Sequence, residues 1–71
     1  MEIDSATVTR LIRTKNIPML RRAHRFLIDA ERDSKLVCDA AERIRFPTRS
    51  HLCVVHERVK RLKSRVAKAL R

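Results

Sequence analysis

A chain of 71 residues that carries 18 Lys and Arg against 8 Asp and Glu has room for one small domain and a formal charge of +10. Because it contains no Gly, it lacks the phosphate-cradling loops of nucleotide-binding enzymes and the glycine loops that clamp single strands. Two Cys residues are too few for a disulfide framework, and no apolar targeting or membrane-spanning run is present. We therefore expect an intracellular protein without a membrane partner, with the cytoplasm favoured.

Two helices are predicted in the first part of the chain. Asp4 or Ser5 can cap a short helix over about residues 5–15. Pro18 suits the first turn of a second, much longer helix over about residues 18–45. The interruption between them is expected to redirect the chain.

A sharp corner is predicted where the second helix ends. Pro47 disfavours helical backbone at Phe46, and a third helix is expected over about residues 48–70. The fold class is therefore all-α. One helical domain, 1–71, is expected to consist of a short N-terminal helix followed by a long helical hairpin.

Apolar residues recur at spacings of three and four along both long helices, which is the pattern of helices that pack together. Half of the seam on the second helix is Ala or Ser, and small residues bury little apolar area. We therefore predict that two copies pair into a homodimeric helical bundle. The alternative is a marginal monomer whose first helix folds back over the hairpin. The expected core and dimer residues are Leu20, Ala23, Leu27, Ala30, Val37, Ala41, Ile44, Leu52, Val55, Val59, Leu62 and Val66.

Positive charge is concentrated in the last third of the chain, where residues 46–71 hold eight Lys or Arg and the single acid Glu57. Such a field attracts polyanions, and Arg, which makes 13 of the 18 cations, engages phosphate through two donors at once. The expected nucleic-acid contacts lie on the outer positions of both long helices. They are Arg21, Arg22, Arg25, Arg32, Lys35 and Arg43, followed by Arg58, Arg61, Arg65 and Lys68.

The residue types that the chain lacks narrow the class of nucleic acid that we expect it to bind. Proteins that read single strands stack bases on aromatic side chains, whereas Phe26 and Phe46 are the only aromatics and are assigned to packing. No short recognition helix follows a tight turn, so sequence-specific DNA binding is not expected. The prediction is duplex binding through phosphate, with RNA favoured over DNA, because a row of Arg can follow an A-form helix without reading bases.

In architecture and charge, residues 18–70 resemble the small double-stranded-RNA-binding silencing suppressors of insect and plant viruses, especially the nodavirus type. The resemblance rests on a tiny, Arg-rich helical hairpin with a short leading helix, and no motif aligns residue by residue. It implies a symmetric four-helix dimer that lies along double-stranded RNA, shields it from dicing enzymes and sequesters small interfering RNA.

No metal, cofactor or catalytic activity is predicted. Cys38, His51, Cys53 and His56 are zinc-ligand types that a hairpin could bring near one another, but they lack the paired close spacing of zinc modules. A buried free Cys commonly behaves as a small apolar residue. Nothing in the sequence suggests a pocket or orienting group for a Cys nucleophile, so the chain is not expected to be an enzyme.

Two other functions remain open at this point. The same heptads suit a helical adaptor that docks on the helices of an acidic protein partner, with Leu20, Leu27, Leu62 and Val66 as anchors. The same cations suit a protein that binds duplex DNA without sequence preference. Binding to a random-sequence duplex, with affinity that falls steeply with salt, would favour the nucleic-acid hypotheses.

Overall fold

The computed structural model describes residues 3–44 and 49–71, which form three helices and contain no strand. Helix α1 spans Ser5–Arg13, α2 spans Ile17–Arg43 and α3 spans Arg49–Ala69. The predicted all-α fold is confirmed, and the predicted helix ends are within about two residues of those observed. The predicted corner at Phe46 and Pro47 lies outside the described residues.

Local capping explains where α1 begins. The carboxylate of Asp4 accepts a hydrogen bond from the Thr7 backbone N–H at 2.7 Å, which satisfies a donor that has no partner within the helix. That bond favours the ionised carboxylate and lowers the pKa of Asp4. The predicted cap is therefore confirmed in its Asp4 form.

The turn between α1 and α2 uses a left-handed residue without a Gly. Lys15 has φ 52°, and the Asn16 N–H donates to the Leu11 carbonyl at 3.1 Å, as in a Schellman motif. Asn16 then caps α2 by accepting from the Met19 N–H at 3.4 Å, and Pro18 lies in the first turn. This compact turn folds α1 back along the start of α2.

Helices α2 and α3 run antiparallel, and their polar contacts follow one another along the interface. Lys63 pairs with Glu31, and the Nδ1 atom of His56 lies within hydrogen-bond distance of the Ser34 Oγ, at 3.0 Å. Farther along α2, Cys38 is joined to Cys53 of α3 by a disulfide. The hairpin predicted from the two heptads is therefore present in a single chain.

The main core lies where α1 covers the hairpin. Six buried residues meet there from all three helices, and they are Val8, Leu11, Leu20, Ala23, Leu27 and Val66. Val59 and Leu62 are partly buried against them. We call α1 with residues 17–30 and 59–69 the covered half, and the remainder of the hairpin, residues 31–44 and 49–58, the open half.

The open half corrects part of the predicted core. Val37, Ile44 and Val55 occupy seam positions, yet they are 49%, 70% and 38% exposed, and none of them belongs to the core that α1 covers. Cys38 and Ala41 are the buried residues described there. Of the other predicted seam residues, Ala30 and Leu52 are partly buried. In the structure α1 folds back over one half of the hairpin, as in the predicted monomeric alternative, and the other half is left uncovered.

Candidate nucleic-acid interface

Three of the predicted phosphate contacts lie close together near the start of α2. Arg21, Arg22 and Arg25 are exposed and, with the partly buried His24, line a cleft of about 440 Å³. Ile28 and Leu70 supply its apolar wall, since the end of α3 lies against the first turns of α2. We call Arg21, Arg22, His24 and Arg25 the α2 cationic cluster.

Within residues 3–44 and 49–71, no acidic side chain forms an ion pair with the α2 cationic cluster. Among the described residues, none of its three Arg side chains takes part in an ion pair, and the first acid of α2 is Asp29. Arg21 and Arg25 are four residues apart, so they project from successive turns of one helix face. The cluster therefore presents unpaired guanidinium groups side by side, which is the arrangement that phosphate oxygens accept.

The rest of the predicted row on α2 is less uniform. Arg32 lies 3.7 Å from Asp29 and 3.8 Å from Asp33, so two carboxylates offset its charge. Lys35 and Arg43 are exposed, with Asp39 between them. The row from Arg21 to Arg43 covers 22 residue-to-residue steps, or about 33 Å at 1.5 Å per residue. Its positive charge is strongest at the Arg21 end.

Of the four predicted phosphate contacts on α3, three are exposed and the fourth is hydrogen-bonded to α1. Arg58, Arg61 and Lys68 are exposed and remain candidates for phosphate. Arg65 instead donates to the Ser5 Oγ at 3.2 Å and to the Thr9 Oγ1 at 2.9 Å. Those bonds fasten α1 to α3, so Arg65 has a structural role that the sequence did not reveal.

An apolar groove lies beside these cations, between the start of α1 and α3. Its floor includes Ile3, Val55, Val59 and Leu62, and its volume is about 580 Å³. The rim is mainly cationic, with Arg58, Arg61 and Arg65 on α3 and Asp4 at one end. A groove of this kind suits an apolar side chain flanked by acidic groups.

An ion pair between Lys63 and Glu31 links α3 to α2 within the hairpin. Both side chains are partly buried, and Lys63 donates to the Glu31 carboxylate. This bond is the main cause that lowers the pKa of Glu31, with Lys63, His56 and Lys60 adding favourable charge. Lys63 is therefore part of the α2–α3 contact rather than a free phosphate donor.

The two cysteines differ from the sequence prediction. Cys38 and Cys53 approach from opposite arms, as the hairpin requires, but they form a disulfide and are not free thiols. His56 is engaged with Ser34, and His51 is exposed. Among the described residues, the four residues considered as zinc-ligand types are not assembled as one group.

Two residues near these clusters were missed by sequence reasoning. His24 lines the cationic cleft, and its position between Arg21 and Arg25 was the available signal. Glu42 lies beside the disulfide, with its Oε1 atom 3.9 Å from the Cys53 Sγ. Glu42 is four residues from Cys38, so the two side chains share one face of α2. That spacing indicates a shared site only when α3 is known to place Cys53 beside them.

Comparison with protein-family models, curated proteins and solved structures gave no match to this chain. The architectural resemblance to viral silencing suppressors therefore stays a prediction. Among the described residues, no helix combines the length and apolar character needed to cross a membrane.

Proposed function

We propose that this chain binds double-stranded RNA through Arg and Lys contacts to the phosphate backbone, without sequence preference and without catalysis. By occupying the duplex, it would sequester such RNA from enzymes that process it. The observation that carries this proposal is the α2 cationic cluster, where three exposed Arg residues share one cleft with His24. A formal charge of +10 adds long-range attraction to any polyanion.

The shape of the molecule supports a duplex ligand. The chain measures 42 × 20 × 18 Å, and the cationic row on α2 runs along its long direction for about 33 Å. That length matches about one helical turn of a duplex, so several phosphates are reachable from one straight helix. A straight row suits a regular duplex better than a coiled single strand.

We favour RNA over DNA because the described residues offer little with which to read bases, and not because of the phosphate contacts themselves. Among the described residues Phe26 is the only aromatic, so the chain offers no platform of stacked rings for unpaired bases. A-form RNA hides its base edges in a deep, narrow major groove, and proteins recognise it mostly by shape and backbone. Exposed Arg residues without a recognition element fit that mode of binding.

A homodimer is part of this proposal. The open half leaves Val37, Ile44 and Val55 exposed at seam positions of α2 and α3. A second copy related by a two-fold axis can bring the same seam positions of both chains together. Pairing would cover the apolar face and double the number of phosphate contacts.

The groove beside α3 favours a second candidate function, a helical adaptor for an acidic protein partner. Its apolar floor and Arg rim suit an amphipathic helix with acidic flanks. In that case the same cations would recognise carboxylates instead of phosphates. A duplex-DNA-binding protein without sequence preference is the remaining alternative, since phosphate contacts alone do not distinguish the two duplexes.

The proposal is tested by replacing both Arg21 and Arg25 with Ala and measuring affinity for a random-sequence RNA duplex at several salt concentrations. Each lost phosphate contact should lower the salt slope by about one, so the double variant should lose about two and bind more weakly on every sequence. The matched control is Arg13→Ala, because Arg13 is an exposed Arg of α1 outside the predicted phosphate contacts. An unchanged affinity of the double variant would contradict the α2 cationic cluster as the site.

A further inference from the structure

A group of potential metal ligands lies in the open half, where the disulfide joins α2 to α3. The Sγ atoms of Cys38 and Cys53 and a carboxylate oxygen of Glu42 all lie within 4.8 Å of one another. Cys38 is buried, Cys53 is partly buried and Glu42 is exposed, so the group sits at an edge that solvent can reach.

Helix geometry explains why these three side chains converge. Cys38 and Glu42 are four residues apart on α2, so they lie on the same face in successive turns. Cys53 reaches that face from α3, because the two helices run antiparallel at this level. Two sulfurs and one carboxylate oxygen are donors that Zn²⁺ accepts, and two thiolates favour it over harder cations such as Mg²⁺.

We propose that Cys38 and Cys53, once reduced, form with Glu42 a binding site for a thiophilic divalent cation of the Zn²⁺ class. Reduction by a dithiol breaks the S–S bond, consumes two electrons and two protons and leaves two thiols, while the dithiol becomes a cyclic disulfide. Zn²⁺ then displaces the two thiol protons to solvent and forms two Zn–S bonds. The carboxylate of Glu42 is the third protein ligand, and water completes a tetrahedron.

The open half can accommodate the change in sulfur separation. Zn–S bonds are about 2.3 Å long, so two sulfurs that share a metal stand farther apart than two bonded sulfurs. In the part of the chain that the structure describes, α1 does not bury Val37 or Ile44, so within a single chain small rotations of α2 and α3 meet little resistance there. The disulfide and the metal site are thus alternative links between the same two helices.

The experiment uses the full chain, reduced by a phosphine that is then removed, and titrated with Co²⁺ under anaerobic conditions. Co²⁺ stands in for Zn²⁺ because its thiolate complexes absorb light. We expect one ion per reduced chain with a thiolate-to-cobalt band that added Zn²⁺ abolishes. The oxidised chain should show no such band.

Two variants identify the carboxylate ligand. Glu42→Gln should lower the affinity for Co²⁺ more than tenfold, as expected when a charged ligand becomes neutral. Asp39→Asn is the matched control, because it removes an equally exposed acid of α2 that is not part of the group. Circular dichroism of each reduced chain verifies that the helices persist. A reduced wild-type chain without the band, or Glu42→Gln with unchanged affinity, would overturn the proposal.

Discussion

The covered half and the open half are built from the same two helices with the same heptad spacing, yet only one of them has a core. In the covered half α1 brings Val8 and Leu11 onto Leu20, Leu27 and Val66. In the open half the buried residues described are Cys38 and Ala41, and large apolar side chains remain exposed. A seam rich in small residues therefore becomes a core only where a third helix lies over it.

This difference also separates the roles that each half has in the proposed function. The covered half holds the α2 cationic cluster on a packed scaffold, which fixes the spacing of Arg21 and Arg25. The open half has a cross-link between its helices and an apolar face without a partner in the single chain. The first is suited to holding a ligand and the second to assembly.

The largest expected effect comes from breaking the core of the covered half. Leu27 is 2% exposed, so Leu27→Ala should lower the free energy of unfolding by about 2–5 kcal/mol. For a domain of this size that loss approaches the whole stability. The measurement is urea unfolding followed by circular dichroism. Leu36→Ala, at a position 63% exposed, should change stability by less than about 0.5 kcal/mol, and an equal loss would mean that the halves do not differ as described.

The next effect concerns assembly through the open half. Val37→Glu places a charge on an exposed apolar position, so the proposed dimer should dissociate at a concentration more than tenfold higher than for the wild type. Sedimentation analysis measures this, and Leu36→Glu, one residue away and about 100° around the helix, is the control. Val37 is chosen for this test because its side chain is exposed in the single chain. Ala41 is only 4% exposed there, and Ala30 is partly buried. A dimer that persists in Val37→Glu would place the interface elsewhere.

A smaller effect tests how α1 is held in place. Arg65→Ala removes two hydrogen bonds from α3 to Ser5 and Thr9, and it should lower the free energy of unfolding by about 1–2 kcal/mol. Arg61→Ala removes the same charge from an exposed position and should leave stability nearly unchanged. Thermal unfolding of both variants measures the difference. Equal midpoints would show that Arg65 does not hold α1.

The smallest effect is a dependence of stability on pH. Because Lys63 lowers the pKa of Glu31 in the folded chain, the pair stabilises the fold above the ordinary pKa that a Glu carboxyl has in the unfolded chain. That contribution is lost as the pH falls through the lowered, folded-state pKa. The unfolding midpoint of the wild type should therefore exceed that of Glu31→Gln at neutral pH and approach it in acid. A difference that stays constant with pH would rule out the ionised carboxylate as its cause.

The helices could be predicted from the sequence because their ends depend on local chemistry. Asp4 and Asn16 cap their own helices, and Pro18 occupies a first turn, so a few neighbouring residues suffice. Burial could be predicted only in part. Val37 and Leu27 have equivalent spacing, but spacing identifies a helix face and not what covers it.

The candidate site shows the same limit. The Arg positions could be predicted because exposure of a charge on a helix is a local property, whereas the hydrogen bonds of Arg65 reach residues 56 and 60 positions away in the chain. The pairing of Cys38 with Cys53 likewise depends on how α2 and α3 are aligned. Contacts between distant segments are set by packing, which neither composition nor periodicity specifies.

The most direct test of the central claim, that this chain binds duplex RNA through phosphate, is a gel-shift titration of the wild-type protein. The ligands are RNA and DNA duplexes of about 20 base pairs with matched sequences and the single-stranded RNA, each at two salt concentrations. We expect sequence-independent binding to the RNA duplex, weaker binding to the other two ligands and a steep loss of affinity with salt. Absence of binding to all three at moderate salt would contradict it and favour the adaptor for an acidic protein partner.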